Sequence, residues 1–216
     1  MKKAERSYHK VDNEKSGEIL PQSGSEKKAT VRSSSFFIEG EAVGKLKIYE
    51  VDRAYTDYLR KFDDRIPEEK AHIQAKTRKY VGLLFEINSC KYFAPLSSPK
   101  KKFKTMKNDK DFLKIEGGRY GAINFNNMFP VHDDAIKNYN INAEPDKKYQ
   151  IVLKKQAIFI RKNKDNILRN ARELYDLMTE DNEEFKSERS RLEKRCCRFK
   201  LLEEKSKMYG SSLSKV

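Results

Sequence analysis

The residues best suited to chemistry lie together at the end of a predicted strand. Ser97, Ser98 and Lys100 place two hydroxyls and one primary amine side by side in a short run around Pro99. Arg78 stands at the mouth of the predicted hairpin, and Lys76 comes just before it. Hydroxyl, ammonium and guanidinium groups all donate hydrogen bonds to phosphate oxygens. By itself, however, Ser-Ser-Pro-Lys is also an ordinary strand exit.

The segment after this run is strongly basic. Its lysines are Lys100, Lys101, Lys102, Lys104, Lys107 and Lys110. Asp109 is the only acidic residue between the first and the last of them. The whole chain has 47 Lys and Arg against 33 Asp and Glu, a net charge of +14. An excess of this size favours a polyanionic partner, most often nucleic acid. The alternative is a solvated cationic surface that only aids solubility.

Other kinds of site have little support in the sequence. The three histidines are far apart, and neither His-x-x-x-His nor Cys-x-x-Cys occurs, so we predict no metal site. Gly117-Gly118 matches no glycine-rich nucleotide fingerprint, so we predict no cofactor. The neighbouring carboxylates Asp63-Asp64 and Asp133-Asp134 are more typical of helix caps or solvated surface than of a divalent-cation site.

The elements that must position these residues begin at Leu46. Alternation from Leu46 to Val51 predicts a strand, and Asp52 is suited to cap a helix after it. The apolar residues of that helix recur at helical spacing: Tyr55, Tyr58, Leu59 and Phe62. Pro67 and the charges after it end the helix and begin a loop that reaches Arg78. A strand followed by a helix therefore opens the domain.

A small antiparallel sheet is predicted next. Strands from Tyr80 to Ile87 and from Lys91 to Leu96 flank the turn residues Asn88-Ser89, which indicates a hairpin. Three further short strands are predicted around the turn Gly117-Gly118: Phe112–Ile115, Ala122–Phe125 and Met128–Val131. The sheet requires helices to cover it.

Helical periodicity dominates the rest of the chain. Apolar residues after Asp146 predict a long or broken helix, whose periodicity skips one position near Asn163 and Lys164, with one face packed on the sheet. A last helical stretch, ending at Gly210, is expected to turn five side chains inward: Phe185, Leu192, Cys196, Phe199 and Leu202. The fold class is therefore α+β.

Composition and length set the remaining bounds. The 216 residues suit one domain with an appendage, and we expect residues 1–44 to be an extension without periodicity and residues 45–216 to be the domain. No apolar run could span a bilayer or act as a secretory signal. The three cysteines, two of them adjacent, do not suggest a disulfide framework. We therefore expect a soluble cytoplasmic protein.

Five segments, in order along the chain, resemble one known family. They are Lys61-Phe62-Asp63-Asp64, Arg78 to Gly82, Lys91 to Lys100, Gly121 to Val131, and Gln156 to Arg161 with Asn163. On these segments the chain is similar to the ToxN/AbiQ family, whose members are endoribonuclease toxins of type III toxin–antitoxin systems. The similarity runs from about Leu46 to Tyr209, and Lys91 to Lys100 is its most specific part.

The resemblance implies a fold and an activity. The fold would be a compact antiparallel sheet or partial barrel wrapped by helices, related to the Kid and MazF toxins, with long C-terminal helices. The activity would be metal-independent RNA cleavage that leaves a 2′,3′-cyclic phosphate, used in abortive infection against phage. The partners would be cellular or phage RNA substrates and a repetitive, pseudoknot-like RNA antitoxin, which inhibits by direct binding in a closed protein–RNA assembly.

The resemblance also assigns site residues. The family's hydroxyl-hydroxyl-Pro-Lys site matches Ser97, Ser98 and Lys100, and its basic residue before the second strand matches Arg78. A tyrosine that some members carry upstream of that basic residue falls near Gln74 here, so its role does not transfer. RNA binding is assigned to the basic positions nearby: Lys76, Lys101, Lys102, Lys104, Lys107 and Lys110.

The chemistry of these groups suits the implied reaction. The 2′-hydroxyl of RNA is the nucleophile, so the site must accept its proton, stabilise charge on phosphorus and protonate the leaving oxygen. Lys100 can act as base or acid, or stay charged and stabilise the phosphorane, and the sequence leaves these alternatives open. Tyr80, Tyr92, Phe93 and Phe125 could stack on bases, but aromatic residues on strands are more often core. A non-catalytic RNA-binding module and, with least support, a DNA-binding regulator remain as alternatives.

Residues 1–44 raise a further hypothesis. Ser33-Ser34-Ser35-Phe36-Phe37 could be encoded by a pyrimidine-rich terminator, and Glu39-Gly40-Glu41 by a ribosome-binding sequence. That order is expected between an RNA antitoxin and its toxin gene. Translation would then begin between Val43 and Leu46, and a genuine disordered tail is the competing interpretation.

Overall fold

The computed structural model describes residues 46–68 and 77–213 of the chain. Eight strands form an antiparallel sheet in these ranges. In chain order they are β1 (Lys47–Val51), β2 (Tyr80–Gly82), β3 (Glu86–Ile87), β4 (Cys90–Ser97), β5 (Phe112–Lys114), β6 (Ala122–Asn124), β7 (Phe129–Val131) and β8 (Ile136–Asn138). The predicted extension, residues 1–44, lies outside the described residues.

Strand β4 is the centre of the sheet. Its eight residues pair in turn with β3, β7, β2 and β6, and seven of them are buried. The sheet path runs β5-β6-β4-β2-β1-β8, and within the described residues its two ends do not pair. The sheet is therefore open and does not close into a barrel. Because β4 is held on both sides, the position where it ends at Ser97 is fixed.

The predicted hairpin is present, but its first strand is interrupted. Asn88 and Ser89 adopt positive φ angles of 51° and 60° and join β3 to β4 in a tight turn. The predicted strand from Tyr80 to Ile87 is broken, because residues 83–85 leave the ladder between β2 and β3. There the backbone still bonds to β4 outside the regular ladder, with the Leu84 N–H donating to the Tyr92 carbonyl at 2.9 Å.

Five α-helices pack around the sheet. They are α1 (Arg53–Arg60), α2 (Lys147–Lys162), α3 (Lys164–Thr179), α4 (Lys186–Glu193) and α5 (Phe199–Leu213). Asp52 caps α1 as predicted, since its side chain accepts from the Ala54 N–H at 2.7 Å. Of the long or broken helix expected after Asp146, the structure has the broken form, because Asn163 ends α2 and begins α3. None of the helices in the described ranges is long and apolar enough to cross a membrane.

Three predicted helix features are wrong. Helix α1 ends at Arg60, well before Pro67. The last helical stretch is two helices, and its second part continues past Gly210 to Leu213. Phe185 is 42 % exposed, because it ends a 3-10 turn at Glu183–Phe185 before α4 begins.

The core lies between the sheet and the helices. The aromatic residues that we kept out of the site are core residues as predicted, with Tyr80, Tyr92, Phe93 and Phe125 all buried. Gly82 packs directly on this core, since a Cβ there would lie 2.2 Å from the Phe93 ring. Helices α2 to α5 contribute further buried apolar residues, including Leu153, Ile167, Leu174, Leu192 and Leu202. Burial of this kind supplies most of the driving force for folding.

Candidate active site

An open cleft of about 410 Å³ lies beside the end of β4. Two groups of charged side chains line it. The lysine group consists of Lys100, Lys102 and Lys107, and the arginine–aspartate group consists of Arg195, Asp109 and Asp111. Ser97, Asn124 and the rings of Phe103 and Phe112 complete the part of the lining that matters here. The cleft therefore brings predicted site residues from β4 and from the basic segment into one place.

Ser97 is held in the cleft by Asn124. Asn124 Nδ2 donates to Ser97 Oγ at 2.7 Å and to the Pro95 carbonyl oxygen at 3.2 Å. A carbonyl oxygen only accepts, so both amide hydrogens of Asn124 point at β4. Ser97 Oγ accepts one of them, and its own hydrogen remains available to donate. The serine hydroxyl is thus presented as an oriented donor.

Gly121 allows the backbone to close around Ser97. Ser97 pairs with Ala122 across the β4–β6 ladder. Gly121 has a φ of +98°, and a Cβ there would lie 1.9 Å from the Ser97 carbonyl oxygen. A side chain at this position would have to push the end of β4 away, and the positive φ also favours glycine. The sequence thus uses glycine where the chain passes closest to the site.

Lys100 lies at the opposite end of the short run from Ser97. It precedes the 3-10 turn Lys101–Lys104 in extended backbone, and its side chain is exposed. Its Nζ lies 5.9 Å from the ring centroid of the buried Phe103, within the outer range of a cation–π contact. No carboxylate of the described chain forms an ion pair with Lys100, so its amine remains available to a ligand.

The arginine–aspartate group is paired internally. Arg195 Nε lies 2.7 Å from Asp111 Oδ2, and Arg195 Nη2 lies 2.8 Å from Asp109 Oδ2. Arg191 Nη1 also donates to Asp109, at 2.8 Å. Hydrogen bonds from Arg191 and Arg195 hold the pKa of Asp109 well below its usual range. Burial raises the pKa of Asp111, and the charge of Arg195 opposes that shift only in part.

Two predicted catalytic residues lie outside the cleft lining. Ser98 is exposed next to Ser97. Arg78 is half-buried ahead of β2, and the Leu96 N–H donates to the Lys79 carbonyl at 2.8 Å. Because Tyr80 pairs with Pro95, the same antiparallel register places Arg78 opposite Ser97. The structure therefore brings Arg78 to the end of β4 without placing it among the cleft residues.

Lys79 anchors the segment that carries Arg78. Its side chain is 4 % exposed, and its Nζ donates to Glu50 Oε1 and, at 3.0 Å, to the Thr77 carbonyl. The same ammonium lies 4.1 Å from the ring centroid of Tyr139. These contacts fix the backbone next to Arg78 and β2. Sequence analysis assigned no role to Lys79.

The predicted RNA-binding lysines divide into three sets. Lys102 and Lys107 line the cleft, while Lys101 and Lys104 are exposed on the 3-10 turn beside it. Lys110 forms an ion pair with Glu188 at 2.7 Å, so its charge is partly neutralised within the protein. Lys76 lies outside the described residues. The lysines of the basic segment are therefore not all equally available to a ligand, although its composition suggests that they are.

Asn124, Asp111 and Arg195 are among the cleft residues that the sequence analysis did not single out. Asn124 breaks the apolar run of β6, which is a weak signal, but no local pattern indicates that its amide reaches back to Ser97. Arg195 precedes the adjacent cysteines, far from the basic segment in sequence. Only the packing of the chain after α4 brings it to Asp109 and Asp111.

The carboxylates show no metal-binding arrangement in the described ranges. No group of three or more His, Cys, Asp or Glu side chains there could hold a metal ion. Asp63 instead accepts from Arg65 Nε at 2.7 Å and from the Arg198 N–H. Asp133 pairs with Lys91 at 2.7 Å. The carboxylate pairs singled out in the sequence therefore have structural partners.

An open antiparallel sheet covered by helices, with a hydroxyl-and-lysine cleft at its central strand, defines a small basic protein suited to binding phosphate esters. The chain matches the family described as "Toxin ToxN, type III toxin-antitoxin system" over residues 47–207. This protein belongs to that family.

Characterised relatives share the greater part of the chain. It is 30 % identical to the endoribonuclease ToxN of Pectobacterium atrosepticum over 171 residues, covering 76 % of this chain and 94 % of the relative. It is 32 % identical to the endoribonuclease ToxN of Bacillus thuringiensis subsp. kurstaki over 173 residues, covering 76 % and 84 %. The endoribonuclease AbiQ of Lactococcus lactis subsp. lactis is 29 % identical over 189 residues, covering 82 % and 96 %.

Solved structures agree with the family assignment. A toxin described as selectively inhibited by a non-coding RNA pseudoknot superposes with a TM-score of 0.66 at 30 % identity, covering 76 % of this chain and 97 % of that one. The lactococcal anti-phage endoribonuclease AbiQ superposes with a TM-score of 0.64 at 26 % identity, covering 78 % and 99 %. The family match over residues 47–207 contains the sheet, the cleft, helices α1 to α4 and most of α5.

Proposed function

We propose that this protein is the endoribonuclease toxin of a type III toxin–antitoxin system that defends a bacterium against phage. Membership in the toxin family supports the activity, and the relatives are named endoribonucleases. The observation that carries the proposal for this chain is the cleft lined both by Ser97, whose hydroxyl is held by Asn124, and by Lys100, whose amine forms no ion pair within the described residues. A folded, repetitive RNA antitoxin inhibits the toxin by direct binding in a closed protein–RNA assembly, in the cytoplasm.

The proposed reaction is attack of the RNA 2′-hydroxyl on the adjacent phosphate, which breaks the bond to the 5′-oxygen and leaves a 2′,3′-cyclic phosphate. Ser97 donates its free hydrogen to a nonbridging oxygen, because its oxygen already accepts from Asn124. Lys100 transfers a proton or stabilises charge on phosphorus. Ser98 and Arg78, at the rim near Ser97, complete the contacts to the phosphate. No step requires a metal ion.

Substrate RNA is held by the lysines around the cleft that form no ion pair within the described part of the chain. Lys102 and Lys107 line it, and Lys101 and Lys104 extend the positive surface beside it. Each neutralised phosphate releases counterions, so binding should weaken steeply as salt rises. Lys76 belongs to this set by its place in the sequence. Lys110 contributes less, because its ammonium group already forms an ion pair with Glu188.

Two finer features of the proposal concern the fold and the chain boundaries. A relationship to the Kid and MazF toxins accords with the small antiparallel sheet, although the sheet here is open. The endoribonuclease domain comprises residues 45–216, and the family match begins at residue 47. A protein lacking residues 1–44 should therefore cleave RNA as fast as the full chain. A large loss of activity would place those residues in the functional unit.

A cleavage assay tests the function directly. Purified protein is incubated with a long unstructured RNA and with DNA of the same sequence, and the RNA products are analysed by mass spectrometry of their 3′ ends. We expect RNA cleavage with 2′,3′-cyclic phosphate ends and no cleavage of DNA, which lacks the nucleophile. Salt-dependent RNA binding without cleavage would instead identify a non-catalytic RNA-binding module.

A further inference from the structure

The solvent-facing side of α2 is a continuous positive surface. Eight of its side chains are exposed, and six of these are cationic. The exposed residues are Lys147, Lys148, Ile151, Lys154, Lys155, Ile158, Arg161 and Lys162. From Lys147 to Lys164 the sequence contains no Asp or Glu. We call these six cations the α2 cationic face.

The cations of this face are not neutralised by the described part of the protein. None of the six forms an ion pair there, and the only polar side-chain contact is from Lys154 Nζ to Gln150 Oε1 at 3.5 Å. The adjacent helix α3 behaves differently. Arg172 pairs with Asp176 at 3.0 Å and Arg169 with Glu173 at 3.9 Å. Like charges on one helix surface repel each other and lower the stability of the protein. A ligand of opposite charge relieves this repulsion and therefore binds favourably there.

The spacing of the cations suits an extended polyanion. They form two rows of three along the helix, each with a step of seven residues. Seven residues rise about 10.5 Å, so each row covers about 21 Å of helix. Several phosphates of a nucleic-acid backbone can be contacted at once along such a length.

A lipid surface does not fit α2. An amphipathic helix binds a membrane by burying its apolar face in the headgroup region. Here that face is already in the protein core, with Leu153 and Ile160 fully buried. Only Ile151 and Ile158 are apolar on the exposed side.

The face lies on the far side of α2 from the catalytic strand. Gln156, 2 % exposed, donates from Nε2 to the Tyr120 carbonyl at 2.7 Å. The same nitrogen lies close to the position that a Cβ on Gly121 would occupy, and that position is next to the Ser97 carbonyl. The buried side of α2 therefore packs against the chain that holds Ser97. The cationic face is separated from this contact by the helix itself, about 10 Å thick.

We propose that the α2 cationic face is a second RNA-binding surface, which holds the phosphate backbone of the antitoxin outside the cleft. This inference rests on the proposed function. A short substrate occupies only the cleft, whereas a folded antitoxin reaches both surfaces and gains affinity from the second contact. The face thus governs inhibition of the toxin and leaves the chemical step unaffected.

The test compares two double variants that remove the same number of charges. Lys154→Gln with Lys155→Gln removes unpaired charge from α2, and Arg169→Gln with Arg172→Gln removes paired charge from α3. One probe is a labelled transcript of the DNA immediately preceding the gene, whose Kd is measured from low to high salt. The other is a six-nucleotide RNA, whose cleavage rate is measured.

We expect the α2 variant to bind the transcript at least fivefold more weakly. Its plot of log K against log salt should be shallower by about 1.4 to 1.8, as loss of two phosphate contacts predicts. Cleavage of the short RNA should stay within twofold of wild type, and the α3 variant should match wild type in both assays. Circular dichroism verifies folding, and Lys148→Gln with Lys162→Gln is the substitute if the first pair unfolds.

Several outcomes overturn the inference. Unchanged affinity and slope in the α2 variant would show that the face does not contact the transcript, as would failure of the wild-type protein to bind it. Equal losses of transcript affinity and slope in the α3 variant would show that the effect comes from net charge and not from the position of the charges. Equal loss of short-RNA cleavage would make the face part of the cleft, and loss of binding to anionic vesicles alone would assign it to a membrane. Wild-type binding without cleavage would instead contradict the proposed function and leave the binding result standing.

Discussion

The two charged groups that line the cleft use their cations in opposite ways. Lys100, Lys102 and Lys107 form no ion pair within the described chain, whereas Arg195 is held by two aspartates at 2.7 and 2.8 Å. A guanidinium forms several hydrogen bonds in a fixed plane and suits a permanent structural pair, whereas an ammonium on a flexible stem adapts to a ligand. From this comparison we expect the lysine group to serve function and the arginine–aspartate group to serve stability. Substitutions in one group should leave the property of the other unchanged.

The largest effect is expected from Lys100→Ala. Loss of the amine removes proton transfer or charge stabilisation at the phosphate, so the cleavage rate should fall by about 10² to 10⁴. The exposed lysine contributes little to folding, so the melting temperature should change by less than about 1 °C. Single-turnover cleavage and thermal denaturation measure the two quantities.

The matched control for Lys100→Ala is Lys186→Ala. Lys186 is also an exposed lysine, but its partner is Glu183 at 3.0 Å and it lies outside the cleft lining. The Lys186→Ala variant should cleave RNA at the wild-type rate. Wild-type rates in Lys100→Ala would falsify the assignment of the lysine group to catalysis.

Asp111→Asn should lower the stability of the protein and leave the cleavage rate nearly unchanged. The carboxylate of Asp111 is 4 % exposed and holds Arg195 through two contacts, at 2.7 and 3.0 Å. Its loss leaves the guanidinium with one aspartate, and we expect a cost of about 2 kcal/mol, since Arg195 itself is partly solvated. For a domain of this size the melting temperature should fall by about 4 to 8 °C. The cleavage rate at 25 °C should stay within threefold of wild type.

A stable Asp111→Asn protein that no longer cleaves RNA would contradict the comparison. It would place the arginine–aspartate group in the catalytic machinery. Arg195→Lys separates the two roles further, because it keeps the charge in the cleft but loses the planar fork. We expect it to be destabilised and active.

Asn124→Ala should have a smaller effect, on rate alone. The amide orients Ser97 through a 2.7 Å hydrogen bond, so its loss should lower kcat about tenfold with little change in KM. Asn126 lines the same cleft, but its amide donates to the Arg195 carbonyl at 3.3 Å. Asn126→Ala is therefore the matched control and should keep the wild-type kcat. Equal losses in both variants would indicate a general perturbation of the cleft.

The sheet and most helices could be predicted because their signals are local. Alternation gave β1, the turn residues Asn88 and Ser89 gave the β3–β4 hairpin, and Asp52 gave the start of α1. The interruption of the strand after Gly82 could not be predicted, because those residues stay apolar while they leave the ladder. Phe185 was misplaced because helical spacing does not reveal that it belongs to a 3-10 turn, with helix α4 and the segment after it between that turn and α5.

The candidate site was predicted only in part. Ser97 and Lys100 are neighbours in sequence, and the family resemblance drew attention to them. The hydrogen bond from Asn124 and the pairing of Arg195 join residues that are 27 and 84 or more positions apart, respectively. Contacts of this kind follow from the register of β4 with β6 and from the packing after α4, and no local pattern indicates them.

Acid should weaken the arginine–aspartate group. The folded-state pKa of Asp109 lies below its unfolded value, because Arg191 and Arg195 donate to the carboxylate. Its stabilising contribution is therefore full above about pH 4, the unfolded value, and is lost as pH falls toward the folded value. Asp109→Asn should flatten the decline of stability below pH 4, as measured by urea denaturation. An identical decline in the variant would show that other carboxylates determine it.

The smallest effect, none, is expected from removing metal ions. Asp109 and Asp111 are the carboxylates of the cleft, and a divalent cation there would give the arginine–aspartate group a catalytic role. Arg195 already contacts both, so each carboxylate has a cationic partner without a metal ion. Cleavage in 5 to 10 mM EDTA, about the usual excess over trace metal, should therefore proceed within twofold of the untreated rate. Loss of cleavage in EDTA with recovery on Mg²⁺, abolished by Asp111→Asn, would reverse the two roles. Persistence of cleavage would leave proton transfer and charge stabilisation to Lys100 and its hydroxyl neighbours, since Lys100 forms no ion pair within the described residues.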